Sequence, residues 1–223
     1  VKLLSSIQQI IISKNIDKIV YNPTLVFTKY KSNLSNKLNI DFWSMIKNPP
    51  LNSSQKTTNE LTQVISLANN RIHKEIDLIY LVDKNPIKLF LPYINKYNIK
   101  FSYENFSNLY IYLRQMIKDL KYFYNRARPF QLADFYNVKL DVIQTKTHHT
   151  PSYPSGHTAY AALAACILSE QRPEDSNYIW SLVDQCGLAR ILQGVHFNSD
   201  NRASIDFVQR VYPLIKEFDN KYF

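Results

Sequence analysis

From Thr57 onward the apolar residues recur at helical rather than alternating spacing. Leu61, Ile65, Ala68, Ile72, Ile76 and Ile79 hold one face for roughly five turns. Thr57 followed by Glu60 reads as a capping box that opens this helix. Pro86 suits the first turn of a second helix, running to about Tyr97. A third is expected from about Ser102 to Arg126, stopping before Arg128-Pro129 because a residue ahead of proline is pushed out of the helical region. Residues 130–153 read as loop with a short helix. Helices at roughly 156–170, 173–192 and 200–220 close the chain, with Pro173 in a first turn and Asp200 as an N-cap. The first forty residues show no sustained period. Asp41 to Lys56 reads as an irregular wrap, in which Pro49-Pro50 forbids helix and Trp43 and Met45 anchor the chain to the core. No repeat or Gly/Ser-rich linker divides the sequence. The expectation is one all-α domain over residues 1–223, with a wrap over 1–56 and a helical core over 57–223.

Composition agrees with helices. Only 3 of 223 residues are glycine, too few for many tight β-turns, and 45% are apolar, enough for a full core. The net charge of +9 suits an anionic partner, although no run of consecutive basic residues marks a nucleic-acid tail. Nucleic acid is therefore not expected. Cys166 and Cys186 are too few for a disulfide framework and form no CxxC pair; both sit in apolar helical contexts and read as buried thiols, with one bond between them left open. The longest apolar run, Ala159 to Leu168, is too short to span a bilayer, so the chain reads as soluble. The stretch VKLLSSIQQIIISKN lacks a signal peptide's unbroken apolar region and cleavage site. The chain starts at valine, so a periplasmic or secreted location is expected if a leader was removed and a cytoplasmic one otherwise. A homo-oligomer is left open.

Candidate chemistry gathers in three clusters within 121–200. In Pro154-Ser155-Gly156-His157 a loop turns into an Ala-rich helix, whose free N–H groups and dipole can hold an anion while Gly156 permits close approach. The stretch THHTPSYPSGHT places three of the five histidines within ten residues, but no Asp, Glu or Cys lies beside them at ligand spacing. No metal is expected, and His148 and His149 read as exposed loop residues. Upstream, Lys121 and Arg128 lie near a helix end. Downstream, Gly194 ends a helix that carries Arg190, His196 falls in the turn, and Asp200 four residues later can fix its tautomer. Each cluster alone fits ordinary capping and dipole roles. Together they hold three cations, an anion-binding helix start, two histidines and a carboxylate, which suits phosphoryl transfer without a metal.

The order and spacing Lys121…Arg128-Pro129, Pro154-Ser155-Gly156-His157 and Arg190…His196…Asp200 resemble the signature of the type 2 phosphatidic acid phosphatase (PAP2) superfamily. The stretches RARPF, SYPSGHTAYAALAACILSE and GVHFNSD look most like soluble bacterial class A non-specific acid phosphatases, and PPLNSSQKTTNEL is similar to a further segment of those proteins. The signature covers roughly the last half of the chain. The resemblance implies a helical bundle of the PAP2/haloperoxidase type. It also implies a metal-independent phosphatase without a cofactor, acting on a small phosphorylated substrate or a lipid phosphate. In that reading His196 is the nucleophile, Asp200 orients it, and His157 protonates the leaving group. Lys121, Arg128, Ser155, Gly156 and Arg190 hold the phosphate. One position departs: Ala189 stands where the family usually has serine, which removes a hydroxyl next to Arg190. The alternatives are a vanadium-dependent haloperoxidase-like enzyme, which would share the constellation, and a catalytically weak phosphate-binding protein.

Overall fold

The computed structural model describes residues 16–25 and 40–222, with side chains through residue 219. Most of the first forty positions, and so much of the expected wrap, lie outside the described residues. Among the described residues the chain forms helices joined by turns and by one long loop over 136–155, with one isolated bridge between Val20 and Arg126 in place of any strand.

The helices in chain order are α1 (Gln55–Asn69), α2 (His73–Lys84), α3 (Leu91–Lys96), α4 (Tyr103–Tyr124), α5 (Pro129–Phe135), α6 (Gly156–Gln171), α7 (Ser176–Leu192) and α8 (Asn198–Tyr222). The central element is α6, whose residues from Thr158 to Leu168 are buried apart from Tyr160. A helix apolar on all sides belongs in the middle, and its alanines let α4, α7 and α8 press close from three directions. By contrast α4 is two-faced. Phe106, Leu109, Leu113, Met116, Ile117 and Leu120 point inward at helical spacing, while Ile111, Arg114 and Lys118 stay exposed.

The periodic stretch from Leu61 to Ile79 is two helices rather than one. The chain breaks at Asn70–Ile72, where Arg71 turns its guanidinium onto the carbonyls of Ala68, Asp141 and Leu192. Ile72, expected to face the core, is 63% exposed. The first of these helices also starts earlier than Thr57: Ser54 is the N-cap, its Oγ accepting from Thr57 N–H at 3.2 Å. Glu60, expected to close that cap, reaches Ser199 instead, at 2.9 Å to N and 2.6 Å to Oγ.

The segment from Pro86 to Tyr97 is also divided, into a 3-10 turn (Pro86–Leu89) and α3. Pro92 has no N–H to donate to Lys88, so a continuous helix is lost there. Pro173 opens a 3-10 turn, and α7 begins at Ser176. The last helix starts at Asn198, so Asp200 is not its N-cap; it lies in the first turn and accepts from Phe197 N–H at 2.9 Å.

The wrap is held where it is described. Phe42 is fully buried, with Trp43 and Met45 partly buried against the same core. Cys166 and Cys186 are buried free thiols. No helix among the described residues is long and apolar enough to cross a membrane.

Candidate active site

The three sequence clusters meet where the end of α4, the start of α6 and the α7–α8 turn converge. Asn125 in the left-handed region (φ 46°) ends α4 and sends the chain into the extended stretch that carries Arg126 and Arg128. Gly194 (φ +83°) ends α7 and turns His196 back toward them. A Cβ at Gly194 would come within 3.2 Å of Val142, so the turn has little room for a side chain.

The His196 ring is buried and held at both nitrogens. Its Nδ1 lies 3.0 Å from Asp200 Oδ2, and its Nε2 lies 3.2 Å from Arg128 Nη1. Arg128 is anchored in turn: Nη1 donates to Val195 O at 2.7 Å and Nε to Thr150 O at 2.9 Å. Behind the ring Asp200 is saturated. Oδ1 receives Arg126 Nη1 at 2.6 Å, and Oδ2 receives the Ser152 hydroxyl at 2.5 Å as well as the His196 ring. Burial alone would raise the Asp200 carboxyl, but Arg126, His196 and Ser152 more than reverse this and hold it below the usual carboxylate range. The His196 ring is driven well below its ordinary value, by burial first and Arg128 second, with Asp200 opposing.

The other side of the site is looser. Lys121 donates its Nζ to two carbonyls, Pro151 O at 2.7 Å and Ser152 O at 3.3 Å. Burial and the charge of Arg128 depress its ammonium well below the usual lysine value. Arg190 pairs with Asp83 at 2.8 Å, and its buried Nε has no hydrogen-bond partner in the protein. Asp83 also accepts from Thr145 at 3.0 Å and from Thr147. His157 is half-buried, its Nε2 3.4 Å from Asp83 O. Its imidazole is lowered to about 3, by burial and then by the charge of Arg190. Lys121 acts on both rings, lowering His157 and His196 alike.

Ser155 and Gly156 stand at the start of α6 as expected. The Ser155 hydroxyl is buried 2.9 Å from Thr158 Oγ1 and makes no capping bond. A Cβ on Gly156 would meet Lys121 Cε at 3.9 Å, so this backbone faces the lysine directly. Lys121, Gly156 and His157 line a cleft of about 640 Å3, while Arg128, Arg190 and His196 lie buried behind it.

His148 corrects the sequence reading, because it is buried rather than exposed. Its Nε2 lies 2.9 Å from Gln144 Oε1, its ring meets Phe130 edge-on, and burial, then Arg128 and His149, lower it to about 4. His149 is exposed as expected. Among the described residues no three His, Cys, Asp or Glu side chains converge as metal ligands would.

Sequence reasoning missed Arg126, Glu60, Ser152, Ser199 and Asp83. Arg126 and Arg128 alternate in an extended stretch that lies in the interior, and both guanidinium groups are buried. Glu60 is a charge at a core-facing helical position beside Leu61 and Val64, which was its available signal. Asp83 had none, since its partner Arg190 lies 107 residues away.

The helical arrangement defines the class first. Its fold matches a bacterial vanadium-dependent chloroperoxidase in the apo form, with a TM-score of 0.58 at 14% identity, covering 82% of this chain and 53% of that one. It also matches a transmembrane PAP2 type phosphatidylglycerolphosphate phosphatase from Bacillus subtilis, with a TM-score of 0.50 at 19% identity, covering 86% and 96%. The fold is thus of the PAP2/haloperoxidase type. Residues 106–207, from α4 into α8, match the family model of the PAP2 superfamily. The non-specific acid phosphatase of Salmonella typhimurium is 39% identical over 80 residues, which is 36% of this chain and 32% of that protein. That of Providencia stuartii is 39% identical over 79 residues, 34% and 31% respectively. The matched stretch therefore spans about a third of these curated relatives.

Proposed function

We propose that this chain is a single-domain phosphatase that hydrolyses phosphomonoesters through a phosphohistidine at His196. The observation that carries the reading is the His196 ring itself. Asp200 holds Nδ1, which leaves Nε2 as the nucleophilic nitrogen, and Arg128 lies beside that nitrogen.

In the first step His196 Nε2 bonds to phosphorus and the ester P–O bond breaks. His157 gives its proton to the leaving oxygen. Asp200 supports the positive charge that develops on the His196 ring. Lys121, Arg128, Arg190, the Ser155 hydroxyl and the Gly156 N–H hold the three non-bridging oxygens. In the second step His157 takes a proton from water, water oxygen bonds to phosphorus, and the P–N bond breaks. The orphaned Nε of Arg190, and Lys121 with neutral carbonyls as its hydrogen-bond partners, support the phosphate-holding role, because both can gain partners from an anion. His157 must be protonated to serve as the acid. The cations that depress it are those that a phosphate dianion would offset, so substrate itself raises its proton affinity. The names of the relatives support small phosphomonoesters as substrates.

Rapid-quench trapping with labelled substrate tests this. An acid-labile, base-stable label is expected in the wild type and not in His196→Ala, with turnover persisting in EDTA. His157→Ala should lose about 10²–10⁴-fold on an alkyl phosphate and far less on nitrophenyl phosphate, whose leaving group hardly needs the proton. Undiminished label in His196→Ala would overturn the assignment.

A further inference from the structure

The cleft that ends at His157 extends well past the groups assigned to the phosphate. Its volume of about 640 Å3 falls within the range of pockets that take whole small molecules, ~300–1,000 Å3. One long wall is α4. Lys121 stands at the inner end, Lys118 one turn outward and Arg114 a further turn out, and all three line the same cleft. At the helical rise, Lys118 lies about 4.5 Å and Arg114 about 10 Å from Lys121 along the axis.

Both outer cations are exposed, and among the described residues neither pairs with a carboxylate. Lys118 lies over the Tyr122 ring at 5.9 Å. Asp83 is the one carboxylate among the described lining residues, and it is engaged by Arg190, Thr145 and Thr147. Apolar surface accompanies the cations: Ile117 lies between Lys118 and Arg114 on α4, Ala159 lines the same cleft, and Tyr110, one turn beyond Arg114, stacks edge to face with Tyr160 at 4.6 Å. Lys84, at the end of α2, is a further exposed cation of the lining. The cleft therefore presents a phosphate end and, one to two turns outward, a basic wall interleaved with apolar surface.

We propose that this cleft selects phosphomonoesters whose leaving alcohol carries a second anionic group beyond a short apolar or planar spacer, with Lys118 and Arg114 reading that second anion. The inference rests on the phosphatase reading, because it needs the scissile phosphate seated between Lys121 and His157. A neutral leaving group of the same length gains only the apolar contact. A second anion adds two charge contacts at exposed positions.

The test compares butane-1,4-diol bisphosphate with 4-hydroxybutyl phosphate, whose leaving alcohols are closely matched. The wild type should favour the bisphosphate by about five- to tenfold in kcat/KM, counted per phosphate group, at low ionic strength. In an Arg114→Gln/Lys118→Gln variant, which leaves Lys84 in place, that ratio should fall by about twofold or more. A Lys74→Gln/Lys139→Gln variant removes the same charge from exposed positions outside the cleft and should keep the ratio. A wild-type ratio near one would overturn the inference alone, as would an unchanged ratio in the first variant or an equal collapse in the second. Failure of the folded wild type to hydrolyse either compound would overturn the phosphatase reading and the inference with it.

Discussion

On one side of the His196 ring stands a carboxylate with every oxygen engaged; on the other stand cations held by partners that can be exchanged. Arg126, Ser152, His196 and the Phe197 N–H all converge on Asp200, which is fully buried. Arg126 is supported in turn by Ser199 at 2.8 Å and stacks on Phe197 at 4.3 Å. Lys121 has only carbonyls and Arg190 has Asp83. In the proposed phosphatase, the first side fixes geometry before substrate arrives, and the second offers a phosphate groups whose hydrogen bonds it can take over. A site that develops charge on one ring would need both, because electrostatic stabilisation is largest where the donors need not reorganise.

The comparison breaks most visibly at Arg126. Removing one partner of a buried ion pair leaves the other uncompensated, which costs about 3–5 kcal/mol. Arg126→Ala should lower unfolding free energy by about that amount. Lys118→Ala, on the exposed face of α4, should change it by about 0.5 kcal/mol or less. Denaturant titration of both variants measures the contrast. A loss at Arg126 no larger than that of a surface pair would mean that the saturated side is not rigidly built.

Much of this architecture was legible beforehand, for a physical reason. Spacing of apolar residues reports which face of a helix is buried, so α4, α6 and α7 fell close to their expected places. What failed were features set by distant partners. Ile72 and Ile76 continue the apolar period of α1 in sequence, but Arg71 finds three carbonyls from two other regions and the helix stops. Thr57 and Glu60 have the spacing of a cap, yet Glu60 finds Ser199, 139 residues away. The Lys121, His157 and His196 motifs were visible because their residue types are unusual together. Asp83, Ser152 and Glu60 are ordinary residues that become important only through contacts no local pattern encodes.

His148 sharpens the comparison, because it is a buried titratable group that belongs to neither side. Its folded pKa is lowered to about 4, with Phe130, Gln144, Arg128, His149, Arg190 and Asp83 around it. The unfolded chain takes up the proton below about 6.5, while the folded chain resists it. The stability from this group is therefore complete above pH 6.5 and is lost as pH falls toward 4, at about 1.4 kcal/mol per pH unit. His157, lowered to about 3, adds a slope of the same sign. In His148→Gln the pH dependence of stability between 6 and 4.5 should flatten by about one proton. Parallel curves for variant and wild type would show that His148 is not held neutral by its surroundings.

The smallest effect is expected at Asp83, and its sign separates an exchangeable partner from a fixed one. Asp83 holds Arg190 on the side where phosphate is proposed to bind, and hydrogen bonds from Thr147 and Arg190 keep its carboxyl below the usual range despite burial. At neutral pH it is therefore an anion that repels an incoming one and competes for the same guanidinium. Asp83→Asn removes the repulsion but retains a hydrogen-bonding oxygen for Thr145 and Thr147. Inorganic phosphate should inhibit this variant about three- to tenfold more strongly, the range expected for one charge interaction of this kind. Orthovanadate should show the same trend. Stability should also fall, because Arg190 is 1% exposed and loses its counter-charge, but by less than at Arg126, because Asp83 is 14% exposed and asparagine keeps an oxygen that can accept from Arg190. If phosphate instead bound more weakly, Asp83 would be orienting Arg190 toward the substrate, and the guanidinium would belong to the fixed side of the site with Arg126.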